Sequence, residues 1–199
     1  MKKRFALVIA LAVTPLTAFA ADDSLDYTYL EGGYLGSRYD VTTRTYEPDG
    51  SFSQTTDRKT ADGGSVRGAA AIAPNFHVFG DYSTQDFEFL DTEHWRVGVG
   101  YNHGIAPKVD LLTRIAYDRS KVVESSDGWS VEAGVRAALS PRFEVHGLAG
   151  YQDYEDAIEG DFYGRVGVQV RLDRLWGISG EVIFGNGQEQ YFIGPRISF

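Results

Sequence analysis

Apolar and polar side chains alternate with a period of two through most of the chain, and the alternation breaks at regular intervals. That period puts successive side chains on opposite faces of an extended strand, whereas a helical face would return every three or four residues. The unbroken stretches predict ten strands, at roughly 25 to 38, 63 to 73, 76 to 85, 94 to 103, 109 to 120, 128 to 139, 143 to 154, 162 to 172, 175 to 184 and 189 to 199, with eight as the alternative count. Short connectors at 73, 104, 140 and 173 alternate with longer ones at 40 to 62, 86 to 93, 121 to 127, 155 to 161 and 185 to 188. All tight turns then lie at one end and all long loops at the other, which fits an up-and-down antiparallel barrel with short periplasmic turns and longer extracellular loops.

A repeat supports the same architecture. PNFHVFGDY starts at Pro74, PKVDLLTRIAY at Pro107 and PRFEVHGLAGY at Pro141; WRVGVGY, WSVEAGVRAAL and FYGRVGVQVRL begin at Trp95, Trp129 and Phe162. Successive spacings in both series are 33 or 34 residues, one hairpin per period.

Alternation alone does not say which face meets water, but the composition of the two faces does. One parity is aliphatic, with Val97, Val99, Ile115, Val131, Val166, Ile178, Val182, Ile193 and Ile197 among its members. The other carries seven acids and seven arginines. Glu31, Arg67, Asp81, Arg96, Arg114, Asp118, Glu132, Arg136, Glu144, Arg165, Arg171, Glu181 and Arg196 are read as a lumen charge network, with His77, Asp110 and His146 on the same face. Carboxylates and guanidiniums persist away from water when paired and hydrogen-bonded, so a self-neutralising set fits a filled lumen. Glycines on this parity, Gly98, Gly100, Gly134, Gly150, Gly167 and Gly177, are expected to make room for the long Arg and Glu side chains.

Aromatic residues gather at strand ends. Tyr82, Trp95, Tyr117, Trp129, Tyr151, Phe162, Phe184 and Tyr191 mark the long-loop side, and Phe76, Tyr101, Phe143, Trp176 and Phe199 the short-turn side. Trp176 and Phe184 are eight residues apart. At ~3.3 Å per residue and a tilt of ~40° they span about 20 Å, near the ~25 Å apolar band of membrane barrels. The aliphatic parity is therefore expected to face lipid.

The beginning of the chain reads as an export signal. MKKR is basic, the following apolar stretch is interrupted by Pro15 and is shorter than the ~17 to 25 residues of a helical span, and Ala18-Phe19-Ala20 is an A-x-A site. Residues 1 to 20 are expected to be a cleaved signal peptide and 21 to 199 the barrel. Removing the leader leaves 16 basic and 28 acidic residues, a net charge of −12 that disfavours nucleic acid as a partner. The absence of cysteine excludes disulfides and thiolate sites. No cofactor or metal is expected, since His77, His94, His103 and His146 form no ligand-spaced pair.

Several stretches resemble a small outer-membrane barrel family of xanthomonad-type bacteria, some members of which have been put forward as secreted signalling or immunity-activating proteins. They are YLEGGY at 29 to 34, PNFHVFGDYS at 74 to 83, WRVGVGYN at 95 to 102, YGRVGVQV at 163 to 170 and GPRISF at 194 to 199. The resemblance implies an outer-membrane location and links to biofilm, motility and virulence, without an activity or catalytic residues. Resemblance to barrel substrates also makes Tyr191, Ile193, Ile197 and Phe199 an expected signal to the outer-membrane assembly machinery.

Three function classes follow. The first is a non-enzymatic monomer in contact with bilayer and lipopolysaccharide that anchors acidic loops at the surface, where Asp86, Glu88, Asp91, Glu93, Glu155, Asp156, Glu159 and Asp161 could meet divalent cations. The second is a small porin or channel. The third is a barrel hydrolase using His94 at the rim, with Asp91 and Glu93 beside it and Asp127 and Ser130 on a neighbouring loop.

Overall fold

The structure, a computed structural model, describes residues 25–46, 51–87, 90–155, 159–185 and 187–199. The expected signal peptide, and Glu88 and Asp156 of the acidic loops, lie outside these residues. Ten strands form one closed antiparallel barrel: β1 Tyr29–Tyr46, β2 Phe52–Ala73, β3 Phe76–Phe87, β4 Leu90–Ala106, β5 Val109–Lys121, β6 Ser125–Ser140, β7 Phe143–Tyr154, β8 Asp161–Arg171, β9 Trp176–Gly185 and β10 Gln188–Ser198. Each strand pairs with its sequence neighbours, and β1 closes the ring on β10 from Tyr29↔Ser198 to Tyr39↔Gln188. Ten strands, not eight, is the count.

The 33- to 34-residue repeat has a backbone cause. In the β2–β3, β4–β5 and β6–β7 hairpins the register shifts just before the turn, between Ala71 and Ala73, Gly104 and Ala106, and Ala138 and Ser140. Pro74, Pro107 and Pro141 then occupy the turns, where a missing N–H costs no ladder bond. At the opposite end Gly187 takes φ of 74° between β9 and β10, a left-handed conformation that glycine adopts without Cβ strain.

The barrel is inside-out relative to a soluble protein. Val97, Ile115 and Ile193 are 52%, 53% and 58% exposed on its outer surface, while Glu132 and Arg96 are 3% and 5% exposed inside it. The long-connection ends carry the expected aromatic girdle: Trp95 packs on Tyr117 at 5.4 Å, and Tyr151 bridges Trp129 at 5.6 Å and Phe162 at 5.0 Å. Tyr82, Phe184 and Tyr191 stand on the same outer surface. Phe76 meets Tyr101 at 5.1 Å near the short turns, where Trp176 also faces out. A closed antiparallel barrel satisfies its own backbone groups and leaves an apolar outer band, the arrangement a strand-built protein needs to cross a bilayer.

Strand pairing shortens the connections expected over 86 to 93 and 121 to 127, reaching Phe87↔Leu90 and Lys121↔Ser125, and two further segments depart more widely from the sequence reading. The connection expected over 40 to 62 is largely strand: β1 and β2 stay paired from Asp40↔Arg58 to Tyr46↔Phe52, seven residue pairs beyond the last β10 and β3 partners. At ~3.3 Å per residue this ribbon projects about 20 Å past the barrel. Threonines explain it, since Thr42↔Thr56 and Thr43↔Thr55 are cross-strand pairs of a β-favouring residue, and Thr42 and Thr56 share a hydroxyl hydrogen bond of 3.1 Å. The second departure is at the start. Residues 25 to 28, expected as the beginning of the first strand, instead enter the lumen. Leu25 and Tyr27 pack there against Leu112 and Leu148.

Candidate functional site: the filled lumen and its outer vestibule

All thirteen residues of the expected lumen network belong to the inward face. At the centre, Glu132 is completely enclosed; Arg96 Nη1 donates to it at 3.1 Å, Arg165 Nε at 3.0 Å and Tyr163 Oη at 2.8 Å, with Arg114 at 3.9 Å. Glu181 is the second hub: Arg67 and Arg165 donate to it at 2.5 and 2.7 Å, and His146 lies 2.9 Å away. Toward the short turns, Glu144 joins Arg136 at 2.6 Å to Arg171 at 2.5 Å. Glu31 accepts from Ser179 at 2.7 Å and sits 3.6 Å from Arg196. Asp118 accepts from Ser130 at 2.6 Å and pairs with Arg96 at 3.3 Å, whereas Asp81 is reached by His94 at 3.7 Å.

The arginines also use aromatic faces. Arg196 lies over Tyr29 at 3.5 Å and Arg67 over Phe192 at 4.1 Å, while Arg114 and Arg96 flank Phe79 at 5.0 and 5.4 Å. Such stacking lowers the cost of removing a guanidinium from water.

The glycines act differently from expectation. Gly100, Gly150 and Gly167 clear room for rings rather than for Arg and Glu, whereas a Cβ on Gly98, Gly134 or Gly177 would first meet a backbone carbonyl of the adjacent strand, at 2.3, 2.0 and 2.8 Å. A Cβ on Gly100 would fall 2.1 Å from His77 Nε2, one on Gly167 2.2 Å from His146 Cε1, and one on Gly150 2.3 Å from Tyr163 Cζ. Each ring belongs to the directly paired residue of the adjacent strand. His77, fully buried, therefore lies flat over Gly100 with Tyr27 stacked on it at 4.8 Å.

Tyr27 is the main anchor of the N-terminal segment. Its hydroxyl donates to Asp110 at 2.8 Å, Arg136 lies over its ring at 4.7 Å, and Arg136 Nη1 donates to the Asp26 carbonyl at 2.8 Å. The Phe199 N–H donates to the Thr28 carbonyl at 3.0 Å, joining this segment to the C-terminal end. Burial raises the Asp26 carboxyl above its ordinary value despite the Thr28 N–H and Arg136. At the turn outside the barrel, Asp173 shows the opposite effect, held low by N–H donation from Trp176 and Leu175.

The ion layer divides the interior. On the long-connection side lies an open vestibule of about 910 Å³; below it is a cavity of about 50 Å³. Arg67, Asp81, Arg96 and Arg165 border both. Residues 25 to 28 occupy the short-turn end.

The expected hydrolase grouping does not assemble. His94 points inward between Asp81 and Asp118, 3.7 and 3.6 Å away, with Tyr154 Oη at 3.3 Å. Asp91 and Glu93 lie on the opposite face of β4 by strand alternation. Ser130 is 1% exposed and gives its proton to Asp118 rather than to the histidine, so the nucleophile–base contact of an activated serine is missing. The acidic loop residues are dispersed: Glu93 lies 3.9 Å from Lys121, and among the described residues no group of three acids and histidines forms a metal site.

Sequence parity missed the apolar lumen residues Leu112 and Leu148, although they fall on the charged face. Their role becomes visible only when Leu25 and Tyr27 are placed beside them.

Neither a protein-family model nor a curated protein matches the sequence. Among solved structures, a KdgM porin in complex with disordered oligogalacturonate is 12% identical, with 88% of this chain and 99% of that chain covered at a TM-score of 0.47. The NanC porin is 10% identical over 86% and 100%, with a TM-score of 0.43. The translocator domain of the autotransporter NalP from Neisseria meningitidis is 11% identical over 88% and 89%, with a TM-score of 0.46. At these values the likeness adds nothing to what the strand topology already shows.

Proposed function

We propose that this chain is a non-enzymatic, non-conducting barrel of the outer membrane, whose sealed body holds the β1–β2 ribbon and the other long connections at the cell surface. The lumen carries this reading: Glu132 and Glu181 bind arginines from β2, β4, β5 and β8 into one cross-braced layer, and Leu25 and Tyr27 fill the far end. The intervening 50 Å³ holds about three to five waters at ~10–15 Å³ each, too little for a solute path. Moving an ion through would require separating buried charge pairs. A surface carrier needs no such path, and it holds the long connections where they meet lipopolysaccharide and bridging cations.

The outer-membrane location is supported by the strand-built apolar band, and recognition by the assembly machinery by the outward alternation of Tyr191, Ile193 and Ile197 ending on exposed Phe199. Membership in the xanthomonad-type family and a part in biofilm, motility or virulence extend this reading through the resemblance of the motifs. A second reading, a small ion or solute channel, is favoured by the wide outer vestibule. Planar-bilayer recording of the refolded chain separates the two. The sealed barrel gives a flat baseline; stable current steps of uniform size establish the channel.

A further inference from the structure

The outer vestibule is the large cavity that the sealed-lumen reading leaves without a role. We propose that it binds a short, uncharged oligosaccharide entering from the long-connection end. At about 910 Å³ it falls within the ~300–1,000 Å³ of small-molecule sites, and its floor is closed, so a solute can enter and be held without passing.

The wall chemistry narrows the class. Gln152 on β7 and Gln188 and Gln190 on β10 point inward and are half-buried. Among the described residues their side-chain amides have no hydrogen-bond partner. Each amide offers two donors and an acceptor side by side, the complement of adjacent sugar hydroxyls. Gln85 shows the contrasting case: its Nε2 donates to Ser37 Oγ at 2.8 Å, so that amide serves the wall itself. Tyr39 and Phe87, packed edge to face at 6.0 Å, add flat apolar surfaces of the kind that cover the C–H face of a pyranose ring.

Charge decides against an acidic ligand. Arg67, Arg96 and Arg165 reach the floor, but each is bound to Glu132 or Glu181 at 2.5 to 3.1 Å and is at most 12% exposed. Recruiting one would strip a buried carboxylate of its partner. Asp81 and Asp118 also border the vestibule and repel anions while accepting hydroxyl protons.

The test is isothermal titration of the full processed chain in detergent with maltotetraose, cellotetraose and chitotetraose as neutral probes, and tetragalacturonate and tetraglucosamine as charged ones. Saturable binding of at least one neutral probe, tighter than either charged probe, is expected. Gln152→Ala with Gln190→Ala should weaken it at least tenfold. The isosteric Gln190→Glu should also weaken it, and Gln54→Ala on the ribbon should not. Heat-modifiable migration on a gel confirms that each variant is folded. No saturable neutral binding, tighter binding of a charged probe, or unchanged affinity in both vestibule variants overturns the proposal. The proposal takes its starting point from the sealed-lumen reading, but the two fail separately: binding accompanied by conductance steps would refute the seal alone, and a flat baseline without neutral binding would refute the sugar site alone.

Discussion

Glu132 has no exposed side-chain surface and three arginines within 4.0 Å, so its removal would leave buried guanidiniums without a counter-charge. Breaking a buried pair costs about 3–5 kcal/mol. On the outer surface, Arg38 and Glu189 stand 3.9 Å apart at 53% and 45% exposure, where an ion pair contributes about 0–1 kcal/mol. Glu132→Ala is therefore expected to lower the unfolding midpoint in urea sharply, and Arg38→Ala to leave it nearly unchanged. Equal effects would mean that the lumen network does not bear on stability. At this scale strand parity made most of the site legible: a charge on a given parity must point inward if its neighbours point to lipid. Pairwise geometry was not legible. That Glu132 takes three arginines, or that His77 lies over Gly100, depends on cross-strand register, which local alternation does not contain.

Elements were read best where the bilayer imposes the pattern. The ribbon beyond Tyr39 lacks an apolar face, so its threonine-rich strands look like a polar loop, although their pairing continues to Tyr46↔Phe52. Since the chain has no cysteine, Thr56→Cys provides a single label site on the ribbon and Arg142→Cys one in an opposite turn. A membrane-impermeant maleimide should label the first on intact cells and not the second; the reverse pattern would invert the topology. The N-terminal segment misled for another reason, because Leu25 and Tyr27 extend the alternation of β1 backward from Tyr29 although the chain before Tyr29 is not part of the barrel wall. Its docking should depend on pH. Burial raises the docked Asp26 carboxyl above the ~4 of the free segment, so protonation favours docking; that contribution is complete in acid and is lost as pH rises through the raised value. Hydrogen exchange at residues 25 to 28, corrected for intrinsic rates, should show protection falling with rising pH, and Asp26→Asn should flatten the trend. Protection that grows with pH would contradict this sign.

The whole molecule depends on one inversion: aliphatic residues face outward and ionised ones inward, closed by β1 on β10. Neither the sealed lumen nor the surface role survives if that orientation is wrong. The three tryptophans report on it directly, since Trp95, Trp129 and Trp176 all face outward, at 37%, 45% and 46% exposure, two near the long connections and one near the short turns. In vesicles containing brominated phospholipid, all three single-tryptophan variants should be strongly quenched by the lipid and resist aqueous iodide. Quenching by iodide alone, with brominated lipid silent, would place the apolar surface away from the bilayer and contradict the account.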